Sequence, residues 1–189
     1  MKTSVIEQDT LAPETWKRYL SWTGARVISY WIFTLLVAFE MMAGGVWDLL
    51  QIEYVRVVLA HLGYPMYLLT ILGIWKIPCA LVLLVPGFPR LKEWAYAGAF
   101  FTYSGAIASH LAVGDSAELW MPPFVLAVLT LASWALRPAN RSFPAPDEQT
   151  RENKTGPWAW AVPIIILAVF LILSFVTLPE GPPPALAGS

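Results

Sequence analysis

Five long apolar runs divide the chain, and this pattern limits its fold more than any other feature. A run of about 20 apolar residues is long enough to cross a bilayer core of about 30 Å as an α-helix. Barrel strands alternate in polarity over about 10 residues, which these continuous runs do not. The sequence therefore predicts an all-α, polytopic membrane protein with a four-helix transmembrane bundle and a fifth, appended transmembrane helix. The predicted spans are residues 27–46, 66–85, 94–113, 119–136 and 157–178.

Charge is scarce and nearly balanced. Charged residues make up 13 % of the 189 residues and the net charge is −1, whereas soluble domains carry roughly 25 % charged residues. These values exclude a disordered chain, a soluble enzyme and a nucleic-acid-binding protein, since no basic field is present to attract phosphate. The lipid bilayer is thus the first expected partner. The single cysteine, Cys79, excludes an internal disulfide and a cysteine-rich metal site.

The distribution of lysine and arginine predicts the orientation. Ten of these residues fall on one side of the predicted spans, Arg56 falls on the other, and Lys76 lies within a span. Positively charged loops stay in the cytoplasm. We therefore expect a multi-pass protein of a bacterial cytoplasmic (inner) membrane, with the N-terminus inside and the C-terminus outside. The expected outer face is acidic and includes Asp48 and Asp115.

Four segments lie outside the predicted spans. Residues 1–26 form a cytoplasmic N-terminal segment that ends in an amphipathic stretch suited to the membrane surface. Apolar residues at helical spacing predict a short interfacial helix on the outer side, within residues 53–62. Residues 137–156, rich in proline and charge, read as a cytoplasmic linker. The tail, residues 179–189, is expected to be disordered.

Three ionisable side chains lie within the spans and are candidate functional residues: Glu40, Lys76 and His110. A lone charge at the centre of a span costs about 2.5–3.5 kcal/mol on insertion scales. Lys76 therefore needs a partner, and Glu40 is the best candidate. Tyr96, Tyr103 and His110 are seven residues apart and share one helix face, which we expect to point into the bundle. The predicted ligand-binding or proton site is Glu40, Lys76, Tyr103 and His110.

Simpler interpretations compete with this site. Glu40 and Lys76 are equally consistent with an ion pair that fixes helix register, and His110 with an interfacial histidine near a span end. Cys79 is typical of a packing residue. His61 and His110 are predicted in different places, which argues against haem or metal ligation by two histidines. The sequence holds no GxGxxG, P-loop or HExxH motif, and no catalytic residue is identified.

Several short motifs resemble the DoxX-like family of small membrane proteins over residues 27–138. They are AGGVWDLL at 43–50, LGYP at 62–65, G-x-x-K at 73–76, P-G at 86–87, KEWAYAG at 92–98, SH at 109–110 and SWALRP at 133–138. The resemblance implies a four-helix membrane bundle. It also implies a link to respiration, because some members are subunits that pass electrons to quinone in sulfur oxidation and others belong to oxidative-stress complexes. Lys76 and His110 lie within motifs of the family.

Three functions remain open from the sequence. The first is a redox-linked membrane subunit that binds a quinone or another lipid-soluble ligand in its bundle. With no covalently bound cofactor expected, it would take electrons from a partner subunit or act as a homo-oligomer. The second is a proton-coupled transporter or carrier, although the chain shows no internal repeat. The third is a non-catalytic assembly or scaffold subunit. An intramembrane acid–base enzyme that acts on a lipid is a further alternative.

Overall fold

The computed structural model describes residues 12–138 and 157–186, with side chains from residue 24 in the first range and from residue 160 in the second. These residues form six α-helices and one short 3₁₀ helix, with no strand among them. The predicted linker lies outside the described residues from position 139 onward. The helices are α1 (Ala12–Leu50), α2 (Glu53–His61), α3 (Tyr67–Leu84), α4 (Pro89–Ala112), α5 (Ala117–Leu136) and α6 (Pro157–Val176).

Three helical segments are long and apolar enough to cross a membrane: Gly24–Leu50 of α1, Tyr67–Leu84 (α3) and Ala117–Leu136 (α5). The apolar segment Trp160–Val176 of α6 is shorter. Helix α4 coincides with the third predicted span but is less apolar, because it carries tyrosines, a histidine and many small residues. In its described residues, the chain is therefore an all-helical membrane protein with three helices that are both long enough and apolar enough to cross a membrane.

Helices α1, α3, α4 and α5 close a ring. Helix α3 packs on α1 and α4, α4 packs on α5, and α5 packs back on α1. Buried apolar side chains from all four helices fill the centre of the ring. They include Val37, Met41, Met42, Leu83, Leu84, Tyr96, Ala99, Tyr103 and Ala127. Helices α1 and α4 thus lie diagonally opposite each other, so a polar side chain on either one can meet the other only through the bundle interior.

Glycines set the closest helix contact, between α1 and α3. A Cβ added at Gly73 would lie 2.8 Å from the carbonyl oxygen of Gly45 and 2.6 Å from Leu49 Cγ. A Cβ at Gly45 would lie 2.9 Å from Ile77 Cγ1. Small residues let membrane helices approach until their backbones nearly touch. The two glycines therefore fix the register of α3 against α1, and with it the depth of Lys76.

Helix α6 lies against the outside of α1 and α3. The indole Nε1 of Trp47 donates to the Ser174 carbonyl oxygen at 2.9 Å, and the rings of Phe39 and Phe170 meet edge to face. These contacts hold α6 beside the ring. The tail that follows was expected to be disordered, yet residues 184–186 form a 3₁₀ helix in which Leu186 is buried.

The other predicted segments are found with altered limits. The predicted short helix is present as α2, Glu53–His61. Helix α1 begins at Ala12, inside the segment assigned to the membrane surface, and continues without a break to Leu50. Its C-terminal end lies four residues beyond the predicted end of the first span. This extension places Asp48 inside the helix and not in a loop.

Candidate functional site

The ammonium group of Lys76 lies between two carboxylates of α1. Glu40, Gly44 and Asp48 are four residues apart and occupy one face of that helix over two turns. Lys76 Nζ is 3.0 Å from Asp48 Oδ2 and 3.8 Å from Glu40 Oε1. A Cβ at Gly44 would lie 3.1 Å from Lys76 Nζ and 2.8 Å from Glu40 Oε1. Gly44 therefore makes the notch into which the ammonium group fits.

Helix α4 completes the cluster from the opposite side of the bundle. The hydroxyl of Tyr103 donates a hydrogen bond to Glu40 Oε2. Tyr96, Tyr103 and His110 are all buried, as their seven-residue spacing predicted. Tyr103 thereby joins α4 to α1 across the interior of the ring. We call Glu40, Asp48, Lys76 and Tyr103 the inner cluster.

The inner cluster holds more acid than base. Two carboxylates share one ammonium group, and the remaining contact, Tyr103, is a neutral donor. The side chain of Glu40 is 29 % exposed, against 13 % for Lys76 and 5 % for Asp48. A surplus anion in an apolar interior is unfavourable. Glu40 is the more accessible of the two carboxylates.

The predicted pair of Lys76 and Glu40 is confirmed, but the nearest partner of Lys76 is Asp48. The sequence had assigned Asp48 to the acidic outer face, which is wrong: the residue is 3 % exposed. An apolar window ends at Val46 because Trp47 and Asp48 lower its hydropathy, whereas the helix itself runs on to Leu50. The spacing of Glu40 and Asp48, eight residues apart with glycine between them, was the signal in the sequence.

His110 does not reach the inner cluster. Its Nδ1 lies 2.6 Å from Asp115 Oδ2, and His61 Nε2 lies 2.6 Å from Asp115 Oδ1. The prediction that the two histidines lie in different places is wrong, because α2 folds back so that its last residue faces the turn after α4. Beside them, the hydroxyls of Tyr64 and Ser109 are 2.8 Å apart. We call His61, His110 and Asp115 the outer cluster.

The outer cluster is held by hydrogen bonds to one carboxylate. Hydrogen bonds from His110 and then from His61 hold the pKa of Asp115 below its usual range. Within the described residues, no group of three histidine, cysteine, aspartate or glutamate side chains is arranged to hold a metal ion. One nitrogen of each imidazole is hydrogen-bonded to the Asp115 carboxylate. The geometry is therefore that of a hydrogen-bonded bridge between helices.

Two motifs of the sequence meet at the other end of the bundle. Arg137 Nη1 bonds Glu93 Oε1 at 2.6 Å, and its guanidinium carbon lies 5.0 Å from the centre of the Tyr96 ring. Trp134 Nε1 donates to the other oxygen of Glu93 at 2.8 Å. KEWAYAG of α4 and SWALRP of α5 thus pack on each other through a charged and aromatic contact. This contact positions the face of α4 that carries Tyr103.

Cys79 is half-buried between α3 and α4, and its Sγ donates to the Ala95 carbonyl oxygen at 3.4 Å. This contact agrees with its interpretation as a packing residue.

Comparisons with known proteins give one finding. Neither the curated proteins nor the solved structures contain a match to the chain. A sequence profile of the DoxX-like family matches residues 32–133, which is more than half of the chain. That segment includes the whole inner cluster and the outer cluster, and it ends before α6. The chain therefore belongs to the DoxX-like family.

Proposed function

We propose that this protein is a small subunit of a bacterial cytoplasmic membrane that binds a quinone, or a similar lipid-soluble carbonyl compound, at the inner cluster and exchanges a proton with it through Glu40. Five spans with the N-terminus inside belong to the same proposal, since α4 and α6 continue the alternation of charge in the loops. A redox partner subunit supplies the electrons, because the chain carries no evident redox group of its own.

The observation that carries the proposal is the surplus carboxylate. A quinone takes up protons when it is reduced, so its site needs a group that holds a proton near the carbonyl oxygen and an N–H or O–H group that donates to that oxygen. Glu40 suits the first role because it is the more accessible carboxylate of an over-acidic cluster. Lys76 and Tyr103 suit the second. Tyr103 is buried, Lys76 is half-buried, and both are positioned by contacts with Glu40.

The polar side chains of the inner cluster fit one carbonyl edge of such a ligand. Asp48 holds the ammonium group of Lys76 more closely than Glu40 does. Asp48 is thus a positioning residue that keeps Lys76 charged and in place while Glu40 changes its protonation. When bound, the quinone supplies the redox chemistry, and the side chains of the chain supply orientation and protons.

The experiment compares quinone binding with stability. Full-length protein in lipid nanodiscs is titrated with a short-chain ubiquinone analogue, and the melting temperature is measured on the same samples. Lys76→Met alone leaves two carboxylates without a cation and should lower both readouts. The Asp48→Asn/Lys76→Met double variant removes the close pair together, so it should melt close to wild type and still bind at least about tenfold more weakly. Glu118→Gln, a carboxylate at the outer surface, serves as the control.

Two results would contradict the proposal. Wild-type affinity in the stable double variant would mean that Lys76 only fixes helix register, as in a scaffold subunit. Proton uptake by proteoliposomes in the absence of quinone, lost in Glu40→Gln, would favour the proton-coupled carrier instead. The surplus carboxylate supports that second function as well, because a carrier also needs a carboxylate that changes its protonation inside the membrane.

A further inference from the structure

The outer cluster joins three separate elements. His61 is the last residue of α2, His110 lies in the last turn of α4, and Asp115 lies in the turn between α4 and α5. The side chains become less exposed from the surface inward: 30 % for His61, 8 % for Asp115 and 7 % for His110. His61 is therefore the member of the cluster that solvent reaches most easily.

Helix α2 is attached loosely apart from this contact. It has nine residues, only Leu59 is buried, and α3 is the one described helix against which it packs appreciably. Among the described residues, the side chains that flank α2 add two hydrogen bonds: Gln51 Nε2 donates to Thr70 Oγ1 of α3 at 3.4 Å, and the Tyr64 hydroxyl lies 2.8 Å from that of Ser109. The outer cluster and the Tyr64 contact both tie α2 to α4 or to the turn that follows α4. Breaking these two would leave α2 held by Leu59, by the Gln51 contact and by the chain on either side.

The residues that flank α2 have left-handed backbone conformations. Gln51, just before the helix, has φ +49°, and Gly63, just after it, has φ +77°. A left-handed conformation is uncommon for a residue other than glycine and is held in place by its surroundings. The backbone N–H of Gln51 donates to the Asp48 carbonyl oxygen at 3.2 Å. A rotation of α2 about Gln51 would thus begin three residues from the inner cluster.

We infer that α2 is a hinged cap on the outer end of the bundle, and that proton binding by the outer cluster locks it closed. With neutral imidazoles, His61 and His110 each donate one N–H to the Asp115 carboxylate. When the imidazoles gain protons, the same two bonds become charge-assisted and about twice as strong. Histidine changes its charge between about pH 5 and 8, so the cap closes more tightly as the outer medium becomes acidic.

The lock works only down to a lower limit of pH, which is the pH at which Asp115 itself takes up a proton. The hydrogen bonds from His110 and His61 keep the pKa of Asp115 below its usual range, so the carboxylate stays charged while the imidazoles take up protons. The ionisable groups of α2 and of the first turns of α3 and α5 are Glu53, Tyr54, Arg56, Tyr67 and Glu118, and Tyr64 lies just beyond α2. No hydrogen bond or ion pair among the described side chains connects them to the cluster.

Hydrogen exchange of α2 tests the inference, because local opening is what exchange measures. Full-length protein in nanodiscs, without added ligand, is followed at pH 6 and pH 8, with rates corrected for the intrinsic effect of pH. In the wild type, α2 should open about fivefold less often at pH 6, as two bonds gain charge assistance. Asp115→Asn leaves two imidazolium groups without an anion, so its pH dependence should vanish or reverse. Glu118→Gln should behave as the wild type does.

A second variant covers the risk that Asp115→Asn folds poorly. His61→Gln keeps an amide donor at the exposed end of α2 and should retain about half of the pH effect on a logarithmic scale. Exchange in α1 and α5 should match the wild type in every variant, which confirms the fold. Opening of α2 that is equal at the two pH values in the wild type would overturn the inference, as would an unchanged pH effect in Asp115→Asn. Neither result bears on quinone binding, which is not part of the measurement.

Discussion

Gly44 shows how one residue can determine whether a buried charge is tolerated. Lys76 lies beside α1 only because a hydrogen atom replaces a side chain at the point where its ammonium group rests. Glu40 and Asp48, one turn below and one turn above, then provide the counter-charges. An ion pair inside a membrane needs this kind of close fit, because the loss of hydration is recovered only at short distance.

Gly44→Ala should therefore destabilise the protein, although alanine is the better helix former. The added Cβ would lie 2.8 Å from Glu40 Oε1 and 3.1 Å from Lys76 Nζ, so both side chains must move. We expect a loss of about 1–3 kcal/mol, the usual effect of overpacking. Gly98→Ala is the matched control, because its Cβ would meet nothing within 4 Å. Thermal unfolding in detergent gives the comparison. Equal melting temperatures for the two variants would contradict the claim that Gly44 makes room for the ammonium group of Lys76.

At the scale of helices, two cations bind the carbonyl ends of α3 and α5, which lie diagonally opposite each other in the ring. Lys92 is 1 % exposed, and its Nζ donates to carbonyl oxygens of Val82, Leu83 and Val85 at the end of α3. Arg26 donates to three carbonyl oxygens at the end of α5, among them that of Leu136 at 3.3 Å. The last carbonyls of a helix lack partners within the helix, and positive charge is favourable there.

Lys92→Met should loosen the end of α3 specifically. The change keeps the length of the side chain but removes hydrogen bonds from a charged donor, and such bonds contribute about 1.5–3 kcal/mol. We expect a lower melting temperature and faster hydrogen exchange at the last turn of α3, with less change in α5. Arg56→Met, at an exposed position on α2, is the control. A variant at Lys92 that is as stable as the Arg56 variant would show that the bonds contribute little.

Helix positions were largely predictable, while the contacts between helices were only partly so. Apolar runs locate helices because lipid requires the backbone to satisfy its own hydrogen bonds. The cost of a lone charge was enough to pair Lys76 with Glu40. Asp48 was missed because hydropathy averages over a window and cannot see a polar residue in the last turns of a helix. The meeting of His61 with His110 depends on a fold-back at residues 51–66, and no local pattern encodes that distance.

For the whole molecule, the same basic residues serve two purposes. Arg26, Lys92 and Arg137 were counted as loop charges that fix orientation, and the structure shows each of them bound to protein groups at one end of the bundle. Their role in capping and pairing does not depend on the membrane. The number of basic residues in the loops therefore does not establish the topology by itself, and the topology must be measured.

Reporter fusions test the proposed five-span topology. Fusions after residues 20, 90, 145 and 189 should report inside, inside, inside and outside, because basic loops remain in the cytoplasm. The first three positions control one another, since all three must agree. A C-terminus that reports inside would exclude a membrane-crossing α6 and leave an even number of spans.

The placement of Cys79 gives the protein a built-in reporter. It is the chain's only thiol, and its Sγ lies against a backbone carbonyl of α4, at the seam between α3 and α4. The rate at which a small membrane-permeant maleimide labels the unmodified protein then measures how often this seam opens. If one exposed cysteine is added and both thiols carry spin labels, Cys79 is the fixed partner of the pair. Distances between α3 and any other helix can then be measured without first removing native cysteines.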